Sequence, residues 1–179
     1  MMHILHHNKR ETGIFSRSLS FLLAFWLFLA WTGELHAGAS FSAAKEIDDA
    51  TLGAAAFRFG DLDGDGDEDL VVALADTGNV VWYASSSGGN IWSENLISAT
   101  QDGPVALEVV DMDGDGELDI VVASENDGRI VWYRNGGSGT SWSAADIASV
   151  SGAAVLYVAD IDGDGDRDLV SGAAGSGNL

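Results

Sequence analysis

The chain has 179 residues, no cysteine, and 28 acidic residues against 8 basic ones, for a net charge of −20. So acidic a surface argues against a nucleic-acid partner, whose phosphates it would repel. The missing cysteines exclude disulfides and thiol chemistry.

Taken in chain order, the first segment to read is 1–37. Lys9, Arg10 and Arg17 precede the apolar run "LSFLLAFWLFLAW" (19–31), and small residues follow. Basic, then apolar, then small is the pattern of a secretory signal peptide. The run is shorter than the roughly 20 apolar residues a membrane span needs, which favours cleavage over an uncleaved anchor. Cleavage after Ala37 ("LHA") and after Ala39 ("AGA") fit equally well. The expected protein is therefore exported, with no membrane span in the mature chain. His3, His6, His7 and His36 all leave with this segment. The mature chain then has no imidazole base and no usual zinc or haem ligand. It keeps Lys45, Arg58, Arg129, Arg134 and Arg167, and loses only Glu11 and Glu34 among the acids. Residues 38–52 read as a spacer or partial outer strand.

From there the sequence repeats. "DLDGDGDEDL" (61–70) returns as "DMDGDGELDI" (111–120) and "DIDGDGDRDL" (160–169), at offsets of 50 and 49 residues. The flanks repeat too: Trp82, Tyr83 and Trp92 match Trp132, Tyr133 and Trp142, and Gly53, Gly103 and Gly152 open the units. Such a period marks a repeat architecture. The units are 53–102, 103–151 and a shorter 152–179.

The second unit shows the elements. "PVALEVV" (104–110) alternates as a half-buried strand does. "LDIVVAS" (118–124) is β-branched and almost wholly apolar, a strand covered on both faces. "ENDG" (125–128) is a hairpin turn, "RIVWY" (129–133) a third strand, "RNGGSGT" (134–140) a glycine-rich loop, and "SWSAADIAS" (141–149) a weaker fourth strand. No segment has helical periodicity. Four short antiparallel strands per unit predict an all-β fold built from the blades of a β-propeller.

The acidic run falls between the first two strands. Loop positions 1, 3, 5 and 9 are Asp61, Asp63, Asp65 and Asp69; Asp111, Asp113, Asp115 and Asp119; and Asp160, Asp162, Asp164 and Asp168. Glycine holds positions 4 and 6. Carboxylates gathered so closely repel unless a cation lies among them. Ca²⁺ takes six to eight oxygens and tolerates irregular geometry, whereas Mg²⁺ keeps more of its waters. Position 7 (Asp67, Glu117, Asp166) varies between Asp and Glu, as a ligand through its carbonyl permits. Position 8 (Glu68, Leu118, Arg167) has no common character and is expected to face out. Position 9 ties the ion to the next strand. An EF-hand is excluded, because position 12 is Val72, Val122 and Ser171 and the flanks are strands.

"DLDGDGDEDLVVA" and "DMDGDGELDIVVA", each followed by a turn and "VWY", resemble the FG-GAP/VCBS repeats of integrin-α-like propellers. The resemblance covers about residues 53–179. It implies one Ca²⁺ per loop on the positions above, and a role in adhesion, surface recognition, or as an accessory module of a larger secreted enzyme, through an extracellular protein or glycan ligand. It also implies a ring, usually of about seven blades. The third unit reaches only into its third strand, so the expectation is a fragment of a longer protein, or several chains sharing a ring, with self-association through uncapped blades. A lectin-like alternative places Trp82, Trp92, Trp132 and Trp142 on sugars. Catalysis is not expected, since the clustered acids are committed to loops and Glu94, Glu108 and Glu125 do not recur.

Overall fold

A computed structural model describes residues 3–4, 44–48 and 53–173. Most of the signal segment thus lies outside the described residues. The chain divides into two compact units, Met2–Asp49 and Ala50–Leu179. In the first, the short strands β1 (His3–Ile4) and β2 (Lys45–Glu46) pair antiparallel. Lys45–Glu46, within the predicted spacer, thus forms a short strand that pairs with β1.

The second unit is all antiparallel β-sheet. The strands β3 (Ala54–Gly60), β4 (Asp69–Leu74), β5 (Asn79–Ser86) and β6 (Ile91–Ser98) form one four-stranded sheet in chain order. The strands β7 (Pro104–Val110), β8 (Asp119–Ser124), β9 (Arg129–Asn135) and β10 (Trp142–Ser149) form the next. A third sheet pairs β11 (Ala153–Ala159) with β12 (Asp168–Ala173). Each repeat opens the same way. Its glycine has positive φ (+73° at Gly53, +66° at Gly103, +73° at Gly152), and the ladder slips at Ala54/Ala56, Pro104/Ala106 and Ala153/Val155. A Cβ on Gly53 would lie 2.6 Å from the Asp76 side chain, so the turn requires glycine for room as well as for φ.

The continuous apolar strands β4 and β8 are buried at every position. Side chains alternate across a strand, and β8 uses this to serve two interfaces. Ile120 and Val122 pack with Leu62, Val71, Ala73, Val80 and Trp82 of the first repeat. Val121 and Ala123 pack with Ala153 and Leu156 of the third. Each such Val or Ile removed from water contributes about 1.5–3 kcal/mol, so the contacts between repeats hold the stack together. Position 2 of each acidic loop takes part. Leu62 is wholly buried against the second repeat, Met112 packs toward the third, and Ile161 is 60% exposed.

On the far face of the first sheet Leu70, Val72, Val81 and Tyr83 are buried, while Phe57, Phe59 and Leu96 beside them are exposed. On the third sheet, Val155, Tyr157 and Val170 stand exposed. One expectation needs correction: β9 runs two residues beyond "RIVWY" into the predicted glycine-rich loop. There Arg134 and Asn135 pair with Ser143 and Trp142 of β10, and the Asp119 Oδ1 accepts the Asn135 N–H at 2.7 Å.

Candidate metal centres

Each acidic loop closes the hairpin between the first two strands of its repeat. The position-1 carboxylate organises the turn. Asp61 accepts the N–H groups of Gly64 (2.8 Å), Asp65 (3.1 Å) and Gly66 (3.0 Å). Asp111 accepts those of Gly114 and Gly116, and Asp160 those of Gly163 and Gly165. The glycines at positions 4 and 6 have φ between +74° and +98° in all three loops. That left-handed backbone wraps the chain around its own first carboxylate. Position 3 accepts from position 5 in the first and third loops, through Asp63 (3.2 Å) and Asp162 (3.1 Å). Position 5 accepts from position 7 through Asp65, Asp115 and Asp164.

Position 9 does something the sequence did not announce. Asp69 and Asp119 are fully buried, and each spends both oxygens on backbone N–H groups. Asp69 holds Leu62 in its own loop (3.0 Å) and Ser85 on β5 (2.7 Å). Asp119 holds Met112 (3.2 Å) and Asn135 on β9 (2.7 Å). Burial pushes both carboxyls up from the usual carboxylate range, and the backbone donors oppose it. The buried indole N–H groups of Trp82 and Trp132 lie toward these carboxylates without reaching hydrogen-bond geometry. Asp168 holds Ile161 N–H at 2.8 Å.

Three carboxylates converge in every loop. Asp61, Asp63 and Asp69 each bring an oxygen within 4.8 Å of the others, as do Asp111, Asp113 and Asp115, and Asp160, Asp162 and Asp168. Oxygens on one Ca²⁺ lie at most twice the metal–oxygen distance apart, about 4.6–5.2 Å. The spacing and the all-oxygen donor set therefore fit a calcium ion. The other predicted carboxylates, Asp65, Asp67, Glu117, Asp119, Asp164 and Asp166, stand outside these groups. Asp67 turns away to accept the Gly88 N–H at 3.0 Å, which leaves its carbonyl as the group it can offer the loop.

Position 8 does not simply face out. Glu68 is exposed, but Leu118 lies so close to Gly60 that a Cβ there would sit 2.9 Å from it. Arg167 Nε donates to the Asp111 carbonyl at 3.3 Å. Two further residues escaped the sequence reading. Asn135 Nδ2 donates to the Leu62 carbonyl (2.8 Å) and the Leu118 carbonyl (3.2 Å), joining the first loop to the second. Arg134 places Nε 2.6 Å from Asp113 and Nη2 2.9 Å from Asp115. The Glu117 N–H and then Arg134 hold the Asp115 carboxyl below its usual range. One clue to Arg134 was present: a basic residue follows "VWY" where the first repeat has Ala84.

The loop-and-strand pattern has a counterpart among known families. A family model of the FG-GAP-like repeat matches residues 61–122 and again 111–171, together more than half the chain. The chain belongs to the FG-GAP-like repeat family. Both matches run from one acidic loop through the next, so this FG-GAP-like chain repeats at the spacing its sheets show. No curated protein matches it.

Proposed function

We propose that this FG-GAP-like chain is an exported, non-catalytic binding module of the β-propeller type, whose three loops bind structural Ca²⁺. One observation carries the reading. In each loop, three aspartate oxygens gather within the span of a single calcium ion. The ion's role is to neutralise carboxylates that otherwise repel, pinning the hairpin that supplies the interior strand of its repeat. Asp61, Asp63 and Asp69, Asp111, Asp113 and Asp115, and Asp160, Asp162 and Asp168 would hold it. Export rests on the basic and apolar segment at 9–31. The partner is an extracellular protein or glycan.

The lectin-like reading has less support. Trp82 is 5% exposed within the packing between repeats, and Trp132 packs toward the third. Trp92 and Trp142 are half-buried, their indole N–H groups bound to the Gly89 and Gly139 carbonyls at 3.1 and 3.0 Å. Repeated aromatics here are packing elements first.

A ligand that binds only the folded chain adds RT ln(1 + [L]/Kd), about 2.7 kcal/mol per site at a hundredfold excess. Chelation should lower the melting temperature, and Ca²⁺ should restore it better than Mg²⁺. A melt indifferent to both sinks the calcium reading. N-terminal sequencing of the exported chain should begin near Gly38 or Ser40, and material starting at Met1 would contradict cleavage.

A further inference from the structure

We propose that Arg134 is a resident counter-cation of the second acidic loop, and that it makes this loop a weaker calcium site than the first. The proposal rests on the calcium reading above. Two observations carry it. The guanidinium is bound to Asp113 Oδ2 at 2.6 Å and Asp115 Oδ2 at 2.9 Å, two of the three residues that converge there. The convergence itself also differs. The first loop gathers positions 1, 3 and 9, as does the third, while the second gathers positions 1, 3 and 5. Position 5 is one of the two that Arg134 holds.

The first repeat has Ala84 at the matching place, so its aspartates have no such partner on β5. A guanidinium stays protonated across the whole physiological range, so Arg134 does not leave the loop by losing its own charge. Near neutral pH a competing cation is what displaces it. A divalent ion entering the second loop must break the arginine's fork on these carboxylates or share them with a positive charge a few ångströms away. Both lower its affinity. In the absence of metal, the same arginine removes part of the repulsion between Asp113 and Asp115. The second loop therefore keeps its shape at calcium levels that leave it empty, and fills after the first. One stack thus combines a site that holds the fold with one that responds to concentration.

The test uses the full chain and calcium alone. Asp63→Asn with Asp162→Asn disables the outer loops while keeping an oxygen for the Asp65 and Asp164 N–H groups. Calorimetric titration of this background reads the second loop. Adding Arg134→Ala should tighten its binding about tenfold, the scale expected for removing one nearby charge at a protein surface. In the otherwise unaltered chain, Arg134→Ala should lower the melting temperature in chelator and enlarge the rise produced by calcium. This second comparison stands even if the double variant folds poorly. If the chain binds calcium but Arg134→Ala leaves the second loop's affinity and the calcium-induced rise unchanged, the arginine's assigned role is wrong and the calcium reading survives. If the unaltered chain takes up no calcium, both fall.

Discussion

Replacing Asn135 by alanine removes one side chain that touches two repeats at once. Asn135 is 1% exposed. Its amide donates to the Leu62 carbonyl of the first loop and the Leu118 carbonyl of the second. Its Oδ1 accepts the N–H groups of Gly137 (3.1 Å) and Gly139 (3.2 Å), shaping the β9–β10 turn. Neutral hydrogen bonds contribute about 0.5–1.5 kcal/mol each, and a buried group left unpaired costs about 1–3 kcal/mol. The bonds to Leu62 and Gly139 are buried, and the other two are partly so. Counting the buried pair near the top of the range and the others near the bottom gives a loss of about 3–4 kcal/mol. Urea unfolding in saturating calcium reads it as a lower midpoint at unchanged slope. At about 2–4 °C per kcal/mol for a chain of this size, the melting temperature should fall by roughly 10 °C. A loss below about 1 kcal/mol would refute the claim that this side chain joins the repeats, since one exposed hydrogen bond accounts for that much.

Two other substitutions probe the same interface from different sides. Leu62→Ala empties a wholly buried position between the first two repeats and should cost about 3 kcal/mol by equilibrium denaturation; a loss under about 1 kcal/mol would place Leu62 outside the core. Gly139→Ala puts a Cβ 2.3 Å from the Trp82 ring at a residue whose φ is +63°, so it should destabilise by at least about 2 kcal/mol and alter Trp82 fluorescence; an unchanged melt and emission would show that the turn and the ring are not in contact.

The strands and the repeat were legible because they depend on patterns that survive in one dimension. The apolar run in "LDIVVAS" reflects two covered faces, and β8 is buried at every position. "PVALEVV" does form β7, but its burial does not alternate, because Leu107 and Val109 pack toward the first repeat while Ala106 packs toward the third. The clustering of Asp61 with Asp63 was legible for the same reason: a tight turn brings near neighbours together. What escaped were bonds from side chain to backbone. Asp69 and Asp119 each grip the N–H of the residue sixteen places on, which is Ser85 in one repeat and Asn135 in the other. A backbone donor leaves the side chain free to differ, so alignment shows no shared residue there. Asn135 and Arg134 were hidden by the reverse effect. Each acts in one repeat only, so a search for what repeats passes over them.

The bond from Asn135 to the Leu62 carbonyl has a consequence for the order in which the protein is made. The first loop's turn lies early in the chain, but the partner that caps its carbonyl lies 73 residues later. Leu62 itself needs Ile120 and Val122 for cover. A nascent chain can therefore form the β3–β4 hairpin early without finishing it. The first repeat reaches its final state only when the second has been synthesised through β9, and the second waits in turn for Ala153 and Leu156. Assembly runs like a zip fastener, each tooth closing the one before it.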